Sequence, residues 1–504
     1  MNRVDGENET SLQARFTAQP VKANPKLKPP RILMSSTQRE LQTMAVTDPR
    51  PTPSLGNLCE DITAEHAIVI GGSMAGLLAA RVLRDYYARV TVVDRDSFPL
   101  EDVCRRGVPQ GRHAHGLLAG GRQALDLLFP GISGDLVQRG ALAHDIGQST
   151  RWFLEGGCHV QAMSGLKSLV LSRPLLENTV RRRLLELPNV RIRENFVVEG
   201  LVADGEHRVT GIQGAGETIR ANLVIDATGR ASHSPQWLET LGYPKPQEEC
   251  MQVGVAYTTR HFRRRPADLS GDHVAIIPPT PEGKRGGAML AQEGDRWIVT
   301  LITHFSSSAP PDLPGFIEFA SSLPAPYIHD VIRHAEPLNE AVTGRFPAST
   351  RRYYEKLDRF PEGYLVFGDA ISSFNPIYGQ GMSVAALEAM ELKATLEQGS
   401  SNLAERFFKK AGRVVDSPWT IAAGNDLRMP EATGKRSAGL SFINWYMSKL
   451  HKTAHHDAAA SLAFHRVANL VAPPQSVFSP AVALRVMSNS MRRNTRVPER
   501  INRS

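Results

Sequence analysis

The sequence predicts an α/β protein whose parallel-sheet domain is assembled from remote pieces of chain, with an antiparallel-sheet domain inserted and helices appended. Two observations carry this. Residues 66–96, 222–230 and 363–381 share one texture, a short apolar strand that ends in a carboxylate or a glycine. Between the last two, from about 250 to 350, the chain changes to strand-length apolar or alternating runs separated by turns such as PPTPEGKRGG and EGD. The expected divisions are an extension over 1–60, a first α/β part over 61–249, the inserted sheet over 250–350, a return segment over 351–400 and a helical region with a basic tail over 401–504.

The first 60 residues are polar and punctuated by proline (QPVKANPKLKPPR, TDPRPTPSLG), which reads as a disordered extension, with an arm on a partner as the alternative. Order starts at HAIVIGGSMAGLLAARVLRDYYARVTVVDRD. Ala67–Ile70 reads as a strand, Leu77–Tyr87 as a helix and Val90–Val93 as a second strand, a βαβ unit. SRPLLENTVRRRLLEL is a helix with Ser172 placed to cap it and Pro174 in its first turn. Arg191–Val198, Arg208–Ile212 and Thr218–Ile225 read as strands, and Gly211–Gly216 as a hairpin turn. GYLVFGDA returns to the first texture, followed by the helix of GQGMSVAALEAMELKATLEQG. Residues 402–470 are mostly helical.

Composition excludes several classes. An apolar fraction of 41% with 22% charged residues is that of an ordinary globular chain. The formal net charge of +8 is concentrated at the end: Ser441–Ser504 holds nine Lys/Arg against two acids. That tail reads as a solvated arm, with an acidic membrane surface or partner as the sharper alternative; no zinc-finger or RNA-binding motif supports nucleic acid. Cys59, Cys104, Cys158 and Cys250 lie far apart without a CxxC pair, which fits reduced thiols rather than disulfides or a metal site. Neither a signal-peptide core nor an apolar run of spanning length is seen, so a cytoplasmic protein is expected, with peripheral membrane contact left open.

The run Gly71-Gly72-Ser73-Met74-Ala75-Gly76 follows an apolar strand and opens a helix, and Asp94 stands 23 residues after Gly71. Small residues there let backbone N–H groups and a helix N-terminus approach a pyrophosphate, while the acid can take a ribose hydroxyl. Asp94 disfavours a 2′-phosphate on the tightly held dinucleotide. A third segment at Asp369 exceeds what a simple NAD domain needs and points to a longer cofactor, with the helix after Gly379 facing the ring of a reduced flavin.

GGSMAG, DATGR and FGDAISSFNPIYGQG together resemble FAD-dependent monooxygenases of the glutathione-reductase-like fold, the aromatic hydroxylase and squalene epoxidase group. RRGVPQGRHAHGLL, DATGRASHSPQWLETLGY and RRYYEKLDRFPEGYLVFGDA resemble, more narrowly, bacterial flavin epoxidases of polyketide polyenes. The resemblance spans roughly residues 64–430. It implies that Gly71, Gly72, Ser73, Met74, Ala75 and Gly76 wrap the FAD pyrophosphate and that Asp94 and Arg95 hold the adenosine. Arg106 and the loop Gly107-Val108-Pro109-Gln110 would follow the cofactor, Arg173 reach it from a helix, and Val198 contact the adenine side. Asp369 would bond the ribitol, with Pro376, Gly379, Gly381 and Met382 near the isoalloxazine. The middle motif, Asp226-Ala227-Thr228-Gly229-Arg230, departs from the hydroxylase form, and only one strong dinucleotide fingerprint is present, so NAD(P)H is expected as a transient visitor, or reducing equivalents from a separate flavin reductase.

The function so implied is epoxidation of a lipophilic, polyene-like substrate of secondary metabolism by O2, through a flavin C4a-hydroperoxide. The alternatives are hydroxylation of an aromatic or quinolone ring, FAD-dependent reduction of an isoprenoid double bond, and, in a different class, a flavin- or lipid-binding protein without turnover. The halogenase tryptophan signature is absent. No acid/base pair stands out, and the catalytic residues stay unassigned. His113 and His115 read either as backbone-bonded histidines at a helix entry or as flavin or substrate contacts. His451 and His455 share i, i+4 spacing, which reads as a wet helix face rather than a metal site.

Overall fold

The computed structural model describes residues 64–494 apart from 206 and 437. The expectations for residues 1–60, for Cys59 and for residues 495–504 of the basic tail lie outside the described residues. A five-stranded sheet forms from β1 (Ala64–Ile70), β2 (Tyr87–Val93), β3 (Val190–Arg193), β4 (Leu223–Asp226) and β5 (Tyr364–Val366), in the order β5-β4-β1-β2-β3. Every pair is parallel. Ala67, Ile68 and Val69 are wholly buried, as a central parallel strand with both faces covered requires, which is why these segments read as continuous apolar runs. Register does the functional work. Ile70 lies opposite Asp226 and Val93, and Asp226 opposite Val366. The carboxyl ends of four strands from remote parts of the chain therefore finish level, and Gly71, Asp94, Ala227 and Phe367 share one rim.

Local chemistry moved several boundaries. The first helix, α1 (Met74–Leu83), starts directly after Ser73 and ends before Tyr87, which pairs into β2. The expected strand over Thr218–Ile225 is two strands in different sheets. Glu217–Arg220 completes a hairpin with Arg208–Gly214, as the glycine turn predicted, whereas Leu223–Asp226 enters the parallel sheet. Asn222 makes the switch: its N–H donates to His66 O (2.8 Å) and its Oδ1 accepts from His66 N–H (3.0 Å). The strand expected over Arg191–Val198 stops at Arg193, before Asn195 turns left-handed at φ 54°.

Helix α2 (Ala119–Leu128) and helix α3 (Arg173–Leu185) flank the sheet, and Ser172 caps α3 by accepting from Leu175 N–H at 3.2 Å. Helix α4 (Gly381–Leu396) lies against α2, where a Cβ on Gly121 would sit 2.5 Å from Ser383 Oγ. Only glycine lets α4 come this close, and α4 carries the last of the predicted motifs on its N-terminus.

The second sheet has eight strands. Gln247–Arg263 pairs with Val342–Tyr353 on one side and Arg296–His304 on the other; Arg285–Gln292 and Val274–Ile277 follow. It also recruits Thr150–Leu154 and Gly157–Cys158 from the earlier chain, and Thr150–Leu154 runs parallel to Val274–Ile277, so the sheet is mixed. At its far edge Ser372–Ser373, just beyond Asp369, pairs with Thr350 and Arg351. Arg352 bonds Glu248 and the Ala370 carbonyl, tying this sheet to the Asp369 loop. Phe262, Trp297 and Phe316 fill the separate core beneath it.

The chain closes with α5 (Leu403–Asp426), α6 (Leu440–Ala454), α7 (Ala458–Ala468) and α8 (Pro480–Asn494). The wet helix face expected for His451 is corrected here. His451 is buried and meets His159 Nε2 at 3.2 Å, and His455 Nε2 lies 2.8 Å from Leu154 O, because α6 packs on the recruited strands rather than facing water. Among the described residues no cluster suits a metal, no helix is long and apolar enough to cross a membrane, and Cys104, Cys158 and Cys250 are free thiols.

Candidate functional site

At the rim, Gly71 takes φ 100°, and a Cβ there would sit 2.7 Å from Ala227 O; on Gly76 it would sit 1.7 Å from Gly71 O. The two glycines let the turn, the start of α1 and β4 meet. Asp94 secures the turn, its Oδ2 accepting from Gly72 N–H (2.7 Å) and its Oδ1 from Asp96 N–H (2.9 Å). Ser73 Oγ donates to Glu177 Oε2 (2.9 Å) and accepts from Arg173 (2.9 Å). Met74 is buried, and Ala75 reaches the other loop: its Cβ would be 2.7 Å from a Cβ on Gly368.

Of the arginine pair, Arg105 is buried and Arg106 exposed. Arg105 bonds Glu177 Oε1 (2.7 Å) and Gly72 O (3.1 Å) with its guanidinium 4.4 Å from the centre of the Phe98 ring, which covers Gly72. Arg95 is exposed beside Asp94, and Val198 is half-buried against the core. Sequence reasoning missed Arg105 and Glu177. The phase of an irregular loop decides which arginine of a pair turns inward, whereas Glu177, one helical turn after Arg173, was a visible signal.

Asp226 is saturated. Its oxygens accept from Thr228 N–H (2.9 Å), Thr228 Oγ1 (2.6 Å), Ser232 Oγ (2.6 Å) and Ser234 Oγ, so this acid holds the DATGR turn together. Asp369 contrasts with it. Asp369 is exposed, and its carboxylate takes no hydrogen bond from any described residue. Surrounding protein pushes the carboxyl above its ordinary range, while Arg173 and Arg230 pull it back. A Cβ on Gly381, the first residue of α4, would sit 3.2 Å from Asp369 Oδ1, and one on Gly229 would sit 3.8 Å from Asp369 Cβ. Glu388, inside α4, holds this loop from below by accepting from Gly368 N–H at 2.8 Å; burial pushes its carboxyl up to about 8.

The loop before α4 forms one end of a cavity of about 840 Å³. Pro376, Tyr378, Gly379 and Gln380 face the segment from Gln110 to Leu118, and Gly379, at φ 63°, stands opposite Gly116. Apolar side chains from the second sheet, among them Ile276, Leu290 and Ile302, make much of the wall. His113 and His115 both line it. His113 Nδ1 lies 2.9 Å from Thr259 Oγ1 and His115 Nδ1 2.9 Å from His113 O. Burial lowers them to about 4 and about 3, which makes both neutral near pH 7. The wall also contains Asp426, the last residue of α5, which sequence reasoning missed. An acid at a helix C-terminus opposes the helix dipole, and that local conflict was its signal.

The arrangement suits an extended dinucleotide carrying a ring. Backbone N–H groups at the start of α1 can take a pyrophosphate, Asp369 offers a free acceptor beside Gly381, and α4 begins directly after the loop that borders the cavity. Met382 is buried in the first turn of α4.

Comparison with known proteins agrees. Residues 65–405 match the family described as FAD binding domain. Protein Rv3254 of Mycobacterium tuberculosis is 35% identical over 390 residues, covering 74% of this chain and 82% of that one. The 6-methylpretetramide 4-monooxygenase of Streptomyces rimosus is 24% identical over 363 residues, 67% of this chain and 77% of its own. Among solved structures, the flavin-dependent brominase Bmp2 superimposes with a TM-score of 0.57 at 14% identity, covering 85% of this chain and 100% of that one, a likeness of fold.

Proposed function

The chain belongs to the FAD-binding-domain family of flavin-dependent oxidoreductases, and from that premise we propose that it is a monooxygenase that hydroxylates an aromatic ring. FAD, when bound and reduced, activates O2 for transfer of one oxygen atom. The chain's own residues supply the rest. Gly71–Gly76 and the start of α1 receive the pyrophosphate, Asp94 the adenosine and Asp369 the ribitol, while the loop Pro376–Gln380 borders the ring.

The observation that carries the reading is the cavity, which opens at that loop and has a wall more apolar than polar, with His113, His115, His304 and Asp426 among its polar groups. Such a wall excludes water and holds a flat lipophile against the ring end of the groove. The named activity of the Streptomyces relative, a 4-monooxygenase of 6-methylpretetramide, supports ring oxygenation over the polyene epoxidation first expected. Epoxidation remains the second reading, favoured by the apolar wall, since an alkene needs no base. The saturation of Asp226 within its own turn supports a reductant that visits transiently or acts through a separate flavin reductase.

The test is incubation of the FAD-loaded protein with NAD(P)H and 18O2 against phenols and polyenes. One labelled oxygen as a ring hydroxyl is the expected product. A labelled epoxide would replace the reading with the second one, and saturation without label would replace both with a reductase.

A further inference from the structure

Helix α6 leaves large apolar side chains on the surface. Phe442 is 58% exposed and Trp445 46%, and Phe478, in the short turn Pro474–Phe478 before α8, is 38% exposed. No other Phe or Trp among the described residues is exposed. The three belong to one patch. The Phe442 and Trp445 rings lie 5.8 Å apart, Phe442 lies 6.5 Å from the Tyr446 ring, and Tyr446 lies 4.6 Å from Phe478. Tyr446 is buried, and its hydroxyl donates to Val477 O at 2.7 Å, so the ring beneath the patch is fixed. Single exposed apolar residues are ordinary, whereas clustered aromatic ones mark a surface that meets something apolar.

Charge identifies the partner. Positions 442, 445, 449 and 452 follow helical spacing along one face, so Lys449 and Lys452 stand one and two turns after Trp445. Lys435 and Arg436 are exposed just before α6. From Ser441 to Ser504 the chain holds nine Lys/Arg against two acids, and one of those, Asp457, is bonded to Arg485 at 2.8 Å. Lys435 and Lys449 have no carboxylate partner among the described residues. A second copy of this chain would set these cations against one another. Anionic headgroups neutralise them and leave the aromatic rings at the depth they favour. Among the described residues no helix is long and apolar enough to cross a bilayer, so the contact is peripheral.

We propose that the outer face of α6, together with Phe478, docks on an anionic lipid bilayer. Phe442, Trp445 and Phe478 enter the interface, and Lys435, Arg436 and Lys449 meet the headgroup phosphates. The same helix borders the cavity: Ser448 Oγ, three residues after Trp445, donates to Glu155 Oε2 at 2.7 Å, and Glu155 lines the cavity wall. Docking therefore brings lipid within about one helical turn of that contact, a short route for a lipophilic substrate. The docking itself does not depend on which oxygenation the cavity supports.

The test is flotation of the FAD-loaded full chain with vesicles of phosphatidylcholine, alone or mixed with phosphatidylglycerol. The wild type should float with the mixed vesicles at low salt, lose most of that binding at high salt, and stay behind with phosphatidylcholine alone. A variant carrying Phe442→Ser with Trp445→Ser should partition at least about tenfold less at unchanged FAD content, since two large apolar side chains no longer enter the interface. Lys449→Gln should weaken binding about fivefold. Brominated lipid should quench the tryptophan emission of the wild type more than that of Trp445→Phe, which keeps an aromatic ring but lacks the inserted indole. No flotation with mixed vesicles, equal flotation with both kinds, or a double variant that floats like wild type would overturn the proposal. A dimer in sedimentation velocity that the double variant breaks would overturn it too, by giving the face to a second copy. Each of these results leaves the oxygenase reading standing.

Discussion

Lowering the pH should loosen the C-terminal helices through three buried imidazoles. His159, His451 and His465 meet in one cluster. His159 and His451 stack at 5.3 Å, His465 lies 5.7 Å from His159, and the Phe464 ring touches all three. Burial, reinforced for His159 and His451 by neighbouring rings, lowers them to about 2, 3 and 4 respectively. The folded cluster is therefore neutral, while the unfolded chain takes up protons at the ordinary histidine value. Stability is full above about pH 6.5 and is lost as pH falls below it, because only the unfolded state gains protons until the folded values are reached. At pH 5 each ring contributes about 2 kcal/mol to unfolding, or about 6 kcal/mol for three. That is comparable to the whole stability of a typical domain, about 5–15 kcal/mol. Denaturant melts between pH 7.5 and 5, followed by circular dichroism and tryptophan fluorescence, measure it; Trp152 packs on His465 at 5.5 Å and reports locally. His465→Asn should remove about one third of the acid loss. A midpoint unchanged across that range, or a variant as acid-sensitive as wild type, would refute the reasoning.

Other expectations follow from the rim. Glu388 is protonated below about pH 8, so FAD affinity of the wild type should fall as pH rises through that value and charge appears beside Asp369; Glu388→Gln should stay flat in the same fluorescence titration. Asp369→Ala should weaken FAD retention on gel filtration by at least tenfold, about 1.4 kcal/mol, through loss of its free acceptor. Gly121→Val should push α4 from α2, costing about 1–3 kcal/mol of thermal stability and FAD retention together. Unchanged melting and flavin content in that variant would show that the close approach is dispensable.

The parallel sheet was legible because a strand buried on both faces leaves an unbroken apolar run, and an acid or glycine marks where it reaches the rim. Asp94, Asp369 and Gly71 were found in this way. Ser172 announced its helix because capping is local chemistry. What the sequence hid depends on partners far along the chain. Thr150–Leu154 joins the second sheet through a parallel pair with Val274–Ile277, which no neighbouring residue signals. His451 reads as a polar helix residue until α6 is packed on the recruited strands. Arg105 and Arg106 differ only in which way an irregular loop turns. Asp226 closes a strand at the same rim, yet three hydroxyls and an N–H already occupy its oxygens.

A crystal structure of the protein soaked with FAD addresses the central claim most directly. Density for one extended molecule should run from Gly71–Gly76 and Asp94, past Asp369, to a ring beside Pro376–Gln380 at the mouth of the cavity. FAD bound elsewhere, or a groove that stays empty at saturating FAD, would contradict it.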